Sequence, residues 1–258
     1  MFTPEQINKE DNMLSTKEDL YNGLIIDPQS TQLSSQNFKT SLMSLLESSK
    51  KDKKNLLWLD LTTEQHQHIA IALELGFEFH NCESKRTTLT YQVKVDAYIP
   101  VPPTHTTGVG AIVINDKNEI LLVRDRISSN HSIYKLPGGM VEHADKLSDA
   151  VEREVYEETG IKSKLIKMVS VLNSHPYRFN KSNMYIVFQL EALSSEINII
   201  DTHEIELALW FPLEDFFAHK EMSSFQKDLV RQALNKEGIS LMENELYFSR
   251  KQHVEVYA

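Results

Sequence analysis

The sequence predicts an α/β (α+β) protein built from two units in series. Three observations predict it. Short apolar runs of strand character alternate with stretches of helical period along most of the chain. A stretch with three prolines, YIPVPPTH at 98–105, interrupts that alternation and resists both helix and sheet ladder. The chain, at 258 residues, is long enough for two domains with real cores.

Taken in order, residues 1–16 are polar and aperiodic, which predicts a flexible tail. YNGLIID (21–27), ended by Pro28, reads as a strand, and the polar loop PQSTQLSSQ follows. Phe38, Leu42, Leu45 and Leu46 recur at helical spacing and lead into the solvated run KKDKK. LLWLDL (56–61) is a buried-strand run. Thr62 or Thr63 then caps a helix that carries Ile69, Ile71, Ala72 and Leu75 to a stop at Gly76. FEFHNCE and TLTYQVKV alternate as two further strands, completing a small α/β domain at 17–97.

Beyond the linker at 98–105, the second domain is predicted at 106–236. GVGAIVIND and EILLVRDR flank Lys117 and Asn118 as a β-hairpin. SIYKLPGG leads into a helix from Lys146 to Thr159. LIKMVSVLNS and SNMYIVFQLEAL are strands, EIELALWFPLEDF closes a strand into a short helix, and Phe225–Asn235 fits a final amphipathic helix. Residues 237–258 read as a C-terminal tail. Trp58 and Trp210 fall in apolar strand patterns and are expected in the core.

Composition narrows the function classes. Hydrophobic residues make up 41 % and charged residues 25 %, ordinary for a soluble globular chain. No apolar run is long enough for a transmembrane helix, and MFTPEQINKEDNML lacks the basic and apolar regions of a secretory signal. Cys82 is the only cysteine, so an intrachain disulfide is impossible; the expectation is a small buried side chain and a reducing, cytoplasmic setting. The formal net charge of −10 disfavours nucleic acid as a partner. It leaves room for a phosphorylated small molecule, because a bound divalent cation reverses a local field. His66 and His68 stand two apart on a predicted helix and do not share a face, which argues against a metal role.

Chemistry concentrates in GGMVEHADKLSDAVEREVYEETGI (138–161). On a helix Glu154, Glu157 and Glu158 converge on one face, and Glu154 meets Glu158 as a like-charge i,i+4 pair that costs a few tenths of a kcal/mol. Acidic charge near a helix C-terminus also opposes the macrodipole. Spacing alone leaves three readings: a solvated acidic face, a chance run of a good helix former, or a divalent-cation site. For the last, several hard oxygen donors without cysteine point to Mg²⁺ or Mn²⁺ rather than zinc.

The whole run resembles the Nudix box, G-x5-E-x7-R-E-U-x-E-E-x-G-U with U aliphatic. Gly139 begins it, Arg153-Glu154-Val155 and Glu157-Glu158 form its acidic centre, and Gly160-Ile161 ends it. YKLPGG upstream and ALWFPLEDF downstream are similar to Nudix landmarks. The resemblance implies a Nudix α/β/α sandwich with a mixed sheet, and a pyrophosphohydrolase acting on a nucleoside diphosphate linked to another moiety. It implies that Glu154, Glu157 and Glu158, with the carbonyl of Gly138, hold Mg²⁺ or Mn²⁺. Arg153 would orient Glu154, and Glu154 is assigned as general base, although family members differ in which glutamate serves. Gly139, Glu142 and Asp145 would support the loop. The box departs from the pattern at Asp145, one methylene shorter than the usual Glu, and at Ala144, where Gly is common.

EDLYNGLIID, LLWLDLTTEQHQHIAIALELGFEFHNCE and TLTYQV resemble the pre-Nudix domain of a subfamily that includes plant ADP-ribose/NADH pyrophosphatases and the mammalian Nudix protein encoded antisense to a fibroblast growth factor; HPYRFNKSNMYIVFQL is similar to its segment after the box. Such a small α/β domain resembles part of an acetyltransferase fold without the acetyl-CoA loop, which implies a scaffold or a dimerisation module. The subfamily implies a nucleotide-type substrate, ADP-ribose first and NADH second, and a homodimer. Pro176, sixteen residues after Gly160, agrees with ADP-ribose hydrolases. Tyr177 agrees with dinucleoside-polyphosphate hydrolases. Arg124, Arg126, His175, Arg178 and Lys181 are candidate substrate contacts, set against the default of surface cations. Glu204 or Glu206 would supply a late acidic group. The box identifies pyrophosphate chemistry and does not itself choose among ADP-X compounds, RNA caps and oxidised nucleotides.

Overall fold

The computed structural model describes residues 13–127 and 134–235. The chain divides into two compact units, Met1–Pro103 and Thr104–Ala258.

The first unit holds strands β1 (Thr16–Glu18), β2 (Leu24–Ile26), β3 (Leu56–Thr62), β4 (Glu78–Cys82) and β5 (Arg86–Gln92), ordered β1-β2-β3-β5-β4. Helix α1 (Ser35–Lys51) crosses between the parallel strands β2 and β3, and α2 (His66–Glu74) follows β3. Ser34 caps α1 by accepting the Asn37 amide at 3.3 Å. Thr62 and Gln65 form a capping box ahead of α2. Strand alternation sends Leu57, Leu59 and Leu61 into a core with Phe38, Leu42, Leu46 and Ala72. Each such fully buried large side chain contributes roughly 1.5–3 kcal/mol. His68 joins this core by stacking on Phe38 with ring centroids 4.1 Å apart, and its pKa is lowered, chiefly by burial, against a backbone hydrogen bond at Leu33.

Three expectations change here. Leu14 is buried in the core, Ser15 accepts the Asp27 amide and Thr16 opens β1, so residues 14–16 are tied to the domain rather than tail; residues 1–12 lie outside the described residues. Cys82 is exposed, because β4 is an edge strand and Cys82 sits at its end. Trp58 is only half-buried and donates Nε1–H to Asp19 at 3.2 Å.

The second unit contains β6 (His105–Ile114), β7 (Glu119–Asp125), β8 (Gly138–Met140), α3 (Leu147–Thr159), β9 (Ser163–Ser174), β10 (Ser182–Ala192), β11 (Ile205–Pro212), α4 (Leu213–Ala218) and α5 (Ser224–Leu234). Thr104 and His105 thus belong to this unit rather than to a linker. The strand order is β11-β7-β6-β10-β9, with β8 on β6. The β6–β10 pair is parallel and the other pairs are antiparallel, so the sheet is mixed.

Alternation along β6 builds two cores. Val109, Ala111 and Val113 pack with Ala150, Val151 and Val155 of α3, while Ile112 packs on the other face with Leu213, Phe216, Leu229 and Val230 of α4 and α5. The result is an α/β/α sandwich. Trp210 is half-buried beside the α3 core, its indole donating to the Ser195 carbonyl at 3.0 Å. The residues read as a C-terminal tail, 237–258, lie outside the described residues.

The β6–β7 hairpin is less regular than its sequence suggests. Its registered pair is Ile114↔Ile120, at a tip where Asn115 Oδ1 accepts the amides of Lys117 and Glu119. Beyond the tip the strands part, and residues 135–140 fill the gap. Val123 and Lys135 exchange backbone hydrogen bonds, Pro137 accepts the Ala111 amide at 2.8 Å, and β8 pairs with Gly108–Gly110. The glycine turn ahead of α3 is thereby stitched into the sheet.

Candidate active site

The site forms where this stitched segment faces α3. Helix α3 spans Leu147–Thr159 and ends at Gly160 in a left-handed cap. Its apolar side, Ala150, Val151 and Val155, is fixed on the sheet, which aims Glu154 and Glu158 at the turn Gly138–Gly139. A Cβ at Gly139 would lie 2.5 Å from Glu154 Oε2, so the carboxylate needs bare backbone there. Gly138 has φ of 150°, and a Cβ on it would overlap the Val109 carbonyl oxygen. Its amide donates to Glu158 Oε2 at 2.8 Å.

Glu158 is 3 % exposed. Burial pushes its pKa up to about 7, against the pull of Lys135 and the Gly138 amide, while Glu154 and Glu204 add to the rise. Burial also raises the Glu154 pKa, partly offset by Arg153. Glu157 is more open. Arg153 gathers the group: Nη1 donates to Glu154 and to Glu157 at 3.0 Å each, and Nη2 to the Met140 carbonyl at 3.2 Å. Its pKa is raised even though burial, the largest influence, opposes that, because Glu154 and Glu157 favour its charge.

The like-charge Glu154–Glu158 spacing is thus relieved by cations from both sides. Arg153 meets Glu157 at i,i+4, and Lys135 Nζ lies 3.5 Å from Glu158 Oε1. Lys135 also meets Asp125 at 2.7 Å and Glu204 at 3.8 Å. Its pKa is raised although burial, the largest influence, lowers it, since Glu158, Asp125 and Glu204 together win. Tyr185 closes the floor beside Gly110 and Gly138, its hydroxyl pKa raised by burial and by Glu158 and Glu154.

The departures from the box have visible consequences. Ala144 adopts φ of 70°, the left-handed region where glycine is at home. Asp145 reaches Arg153 only at 3.5 Å, as its shorter side chain predicts. Glu142 is exposed and contributes its carbonyl to the Asp145 amide at 3.2 Å.

Other candidates separate. Glu204 enters the site group, whereas Glu206 pairs with Arg124 at 3.2 Å, and Arg124 lies over the Tyr134 ring. Arg126 is engaged with the carbonyls of Thr202 and Ile205 and so holds the loop that carries Glu204. His175 sits 3.3 Å from Ser182, and Arg178 lies over Tyr177; neither is among the contacts of the acidic group. Lys135, Asp125 and Tyr185 were not singled out by sequence. The signal for Lys135 was its place in YKLPGG, immediately before the turn.

All potential ligands here are hard oxygens: the carboxylates of Glu154, Glu157, Glu158, Asp125 and Glu204 and the backbone carbonyls of the glycine turn. Among the described residues, Arg153 and Lys135 are the cations paired with these five carboxylates, and the donor set fits Mg²⁺ or Mn²⁺. Asp125, Glu158 and Glu204 offer oxygens within 4.8 Å of one another.

A fold of this kind with an acidic helix over a glycine turn defines a Nudix protein, and the chain belongs to that family: a sequence model of the NUDIX domain matches residues 104–233, and one of the Nudix hydrolase domain matches 14–93. Among its relatives, Nudix hydrolase 8 of Arabidopsis thaliana is 32 % identical over 212 residues, covering 81 % of this chain and 57 % of that one. Nucleoside diphosphate-linked moiety X motif 6 of Homo sapiens is 34 % identical over 188 residues, covering 71 % and 59 %. Nudix hydrolase 10 of Arabidopsis thaliana is 30 % identical over 201 residues, covering 77 % and 70 %. The chain thus spans less than two thirds of the first two.

Proposed function

We propose that the second unit hydrolyses the pyrophosphate of a nucleoside diphosphate linked to another moiety, with Mg²⁺ or Mn²⁺, and that ADP-ribose is the first substrate and NADH the second. The observation that carries this is the oxygen-only group at the glycine turn, where Arg153 binds Glu154 and Glu157 and the Gly138 amide binds Glu158. Glu154, Glu157, Glu158 and the Gly138 carbonyl would hold the cation. When bound, it supplies neutralisation of pyrophosphate charge and acidification of an attacking water. Glu154, partly desolvated and with a raised pKa, is suited to accept that water's proton. Arg153 holds Glu154 and Glu157 in register with the β8 backbone. The reaction joins water to ADP-ribose and releases AMP and ribose 5-phosphate.

Purified protein with either metal is expected to release AMP from ADP-ribose, and Glu157→Gln to cut kcat by at least about a hundredfold. No AMP from any of a broad ADP-X panel would sink the proposal. The strained Ala144 and the long Asp145–Arg153 contact favour a second reading, a low-turnover nucleotide-binding or partner-binding regulatory protein. Calorimetry showing tight ADP-ribose binding with negligible turnover would select it. The proposal also includes a homodimer in the cytoplasm, the former checked by sedimentation.

A further inference from the structure

Lys135 lies among three carboxylates placed to share a cation, one of them Glu158 of the proposed metal site. Asp125, Glu158 and Glu204 present oxygens within 4.8 Å of one another, and the Lys135 ammonium stands 2.7, 3.5 and 3.8 Å from one oxygen of each. Its backbone is fixed by paired hydrogen bonds with Val123, two residues before Asp125 on β7. Glu204 is fixed as well, its carbonyl accepting the Arg126 amide at 2.7 Å and its own amide donating to Asp201 at 3.1 Å. The ammonium is therefore held in the space a cation shared by these carboxylates would take. Lysine, with four flexible methylenes and three donors, is able to leave such a position for another anion.

We infer that Lys135 is a built-in counter-cation that competes with the divalent ion for Glu158 and its neighbours, and that a substrate phosphate relieves the competition by giving the ammonium another partner. The inference rests on the metal-dependent reading above. Its consequence is coupling: metal and nucleotide each bind more tightly in the presence of the other, by the same factor. Lys135 is in this sense a positioning residue with a role in affinity, beyond neutralising the fold.

The test is Mn²⁺ binding followed by electron paramagnetic resonance at pH 8.5 on wild type, Lys135→Met and Lys135→Gln, with and without an ADP-ribose analogue whose bridging oxygen is replaced by methylene. Without nucleotide, both variants are expected to bind Mn²⁺ at least about tenfold more tightly than wild type, because a positive charge within ion-pair distance of three carboxylates has gone. The tightening of Mn²⁺ binding by the analogue should shrink in both. Mn²⁺ should also raise their Tm by more than it raises that of wild type, an effect a purely structural lysine would not produce. Lys135→Arg should restore wild-type affinity.

Unchanged or weaker Mn²⁺ binding by either folded variant overturns the inference, even if wild type hydrolyses ADP-ribose normally. Binding by the variants but not by wild type supports it. Absence of binding in all three overturns both this inference and the metal site it rests on. If Lys135→Met folds only with Mn²⁺ present, the competition is supported directly; if both variants stay unfolded with Mn²⁺, Lys135 is structural and the inference fails.

Discussion

Glu158→Gln is the substitution whose effect follows most directly from the structure. In the folded protein burial lifts the Glu158 pKa to about 7, from the ordinary 4.5 of a free glutamate. A raised carboxyl pKa means that the native state holds a proton the unfolded chain has already released. The associated stability is fully present below pH 4.5 and is lost as pH rises to about 7. At 1.36 kcal/mol per pKa unit, this difference corresponds to about 3 kcal/mol. The side chain is 4 % exposed, so solvent screening removes little of it. Glutamine keeps an acceptor for the Gly138 amide and cannot ionise. Urea unfolding in chelator, between pH 5 and 8, would be followed by Trp210 fluorescence in a Trp58→Phe background, so that the signal comes from the second unit alone. Relative to its difference from wild type at pH 5, Glu158→Gln should gain about 2.5 kcal/mol by pH 8, the part of the shift that lies above pH 5. A difference that stays flat across this range would refute the reasoning, since Glu158 would then be ionised throughout.

Gly139→Ala places a methyl 2.5 Å from Glu154 Oε2 and should displace that carboxylate; on the order of a hundredfold loss in kcat for ADP-ribose is expected, with the secondary structure by circular dichroism unchanged. Ala144→Gly relieves the left-handed backbone at φ of 70° and, after the entropy cost of glycine, should stabilise the second unit by about 0.5–1 kcal/mol in the same urea assay.

Much of this architecture is written in local pattern. The Leu57–Leu59–Leu61 alternation marks β3, and Phe38, Leu42 and Leu46 mark α1, because each period is set by one element's own geometry. The box helix is legible for the same reason, with Gly160 as its stop. Lys135 is different. Its neighbours in YKLPGG indicate a turn, and only the pairing of Lys135 with Val123 brings it to Asp125. Glu204 and Glu206 are equivalent by composition and two residues apart, yet the register shift between Ile205 and Leu207 sends one to Lys135 and the other to Arg124. Cys82 shows the same limit, since apolar character cannot reveal that its strand lies at a sheet edge.

The stitched segment 135–140 has a consequence for motion. The Lys135 and Ala111 amides that pin it belong to the same hydrogen-bonded ladder as β6 and β7. Their exchange with solvent deuterium requires the sheet itself to open, in one cooperative unit, rather than the fraying of a separate loop. The glycine turn that receives Glu158 is thus as long-lived as the core beneath it. Conformational freedom for substrate entry must come from the side chains and loops around that floor, while the floor keeps its shape until the unit unfolds.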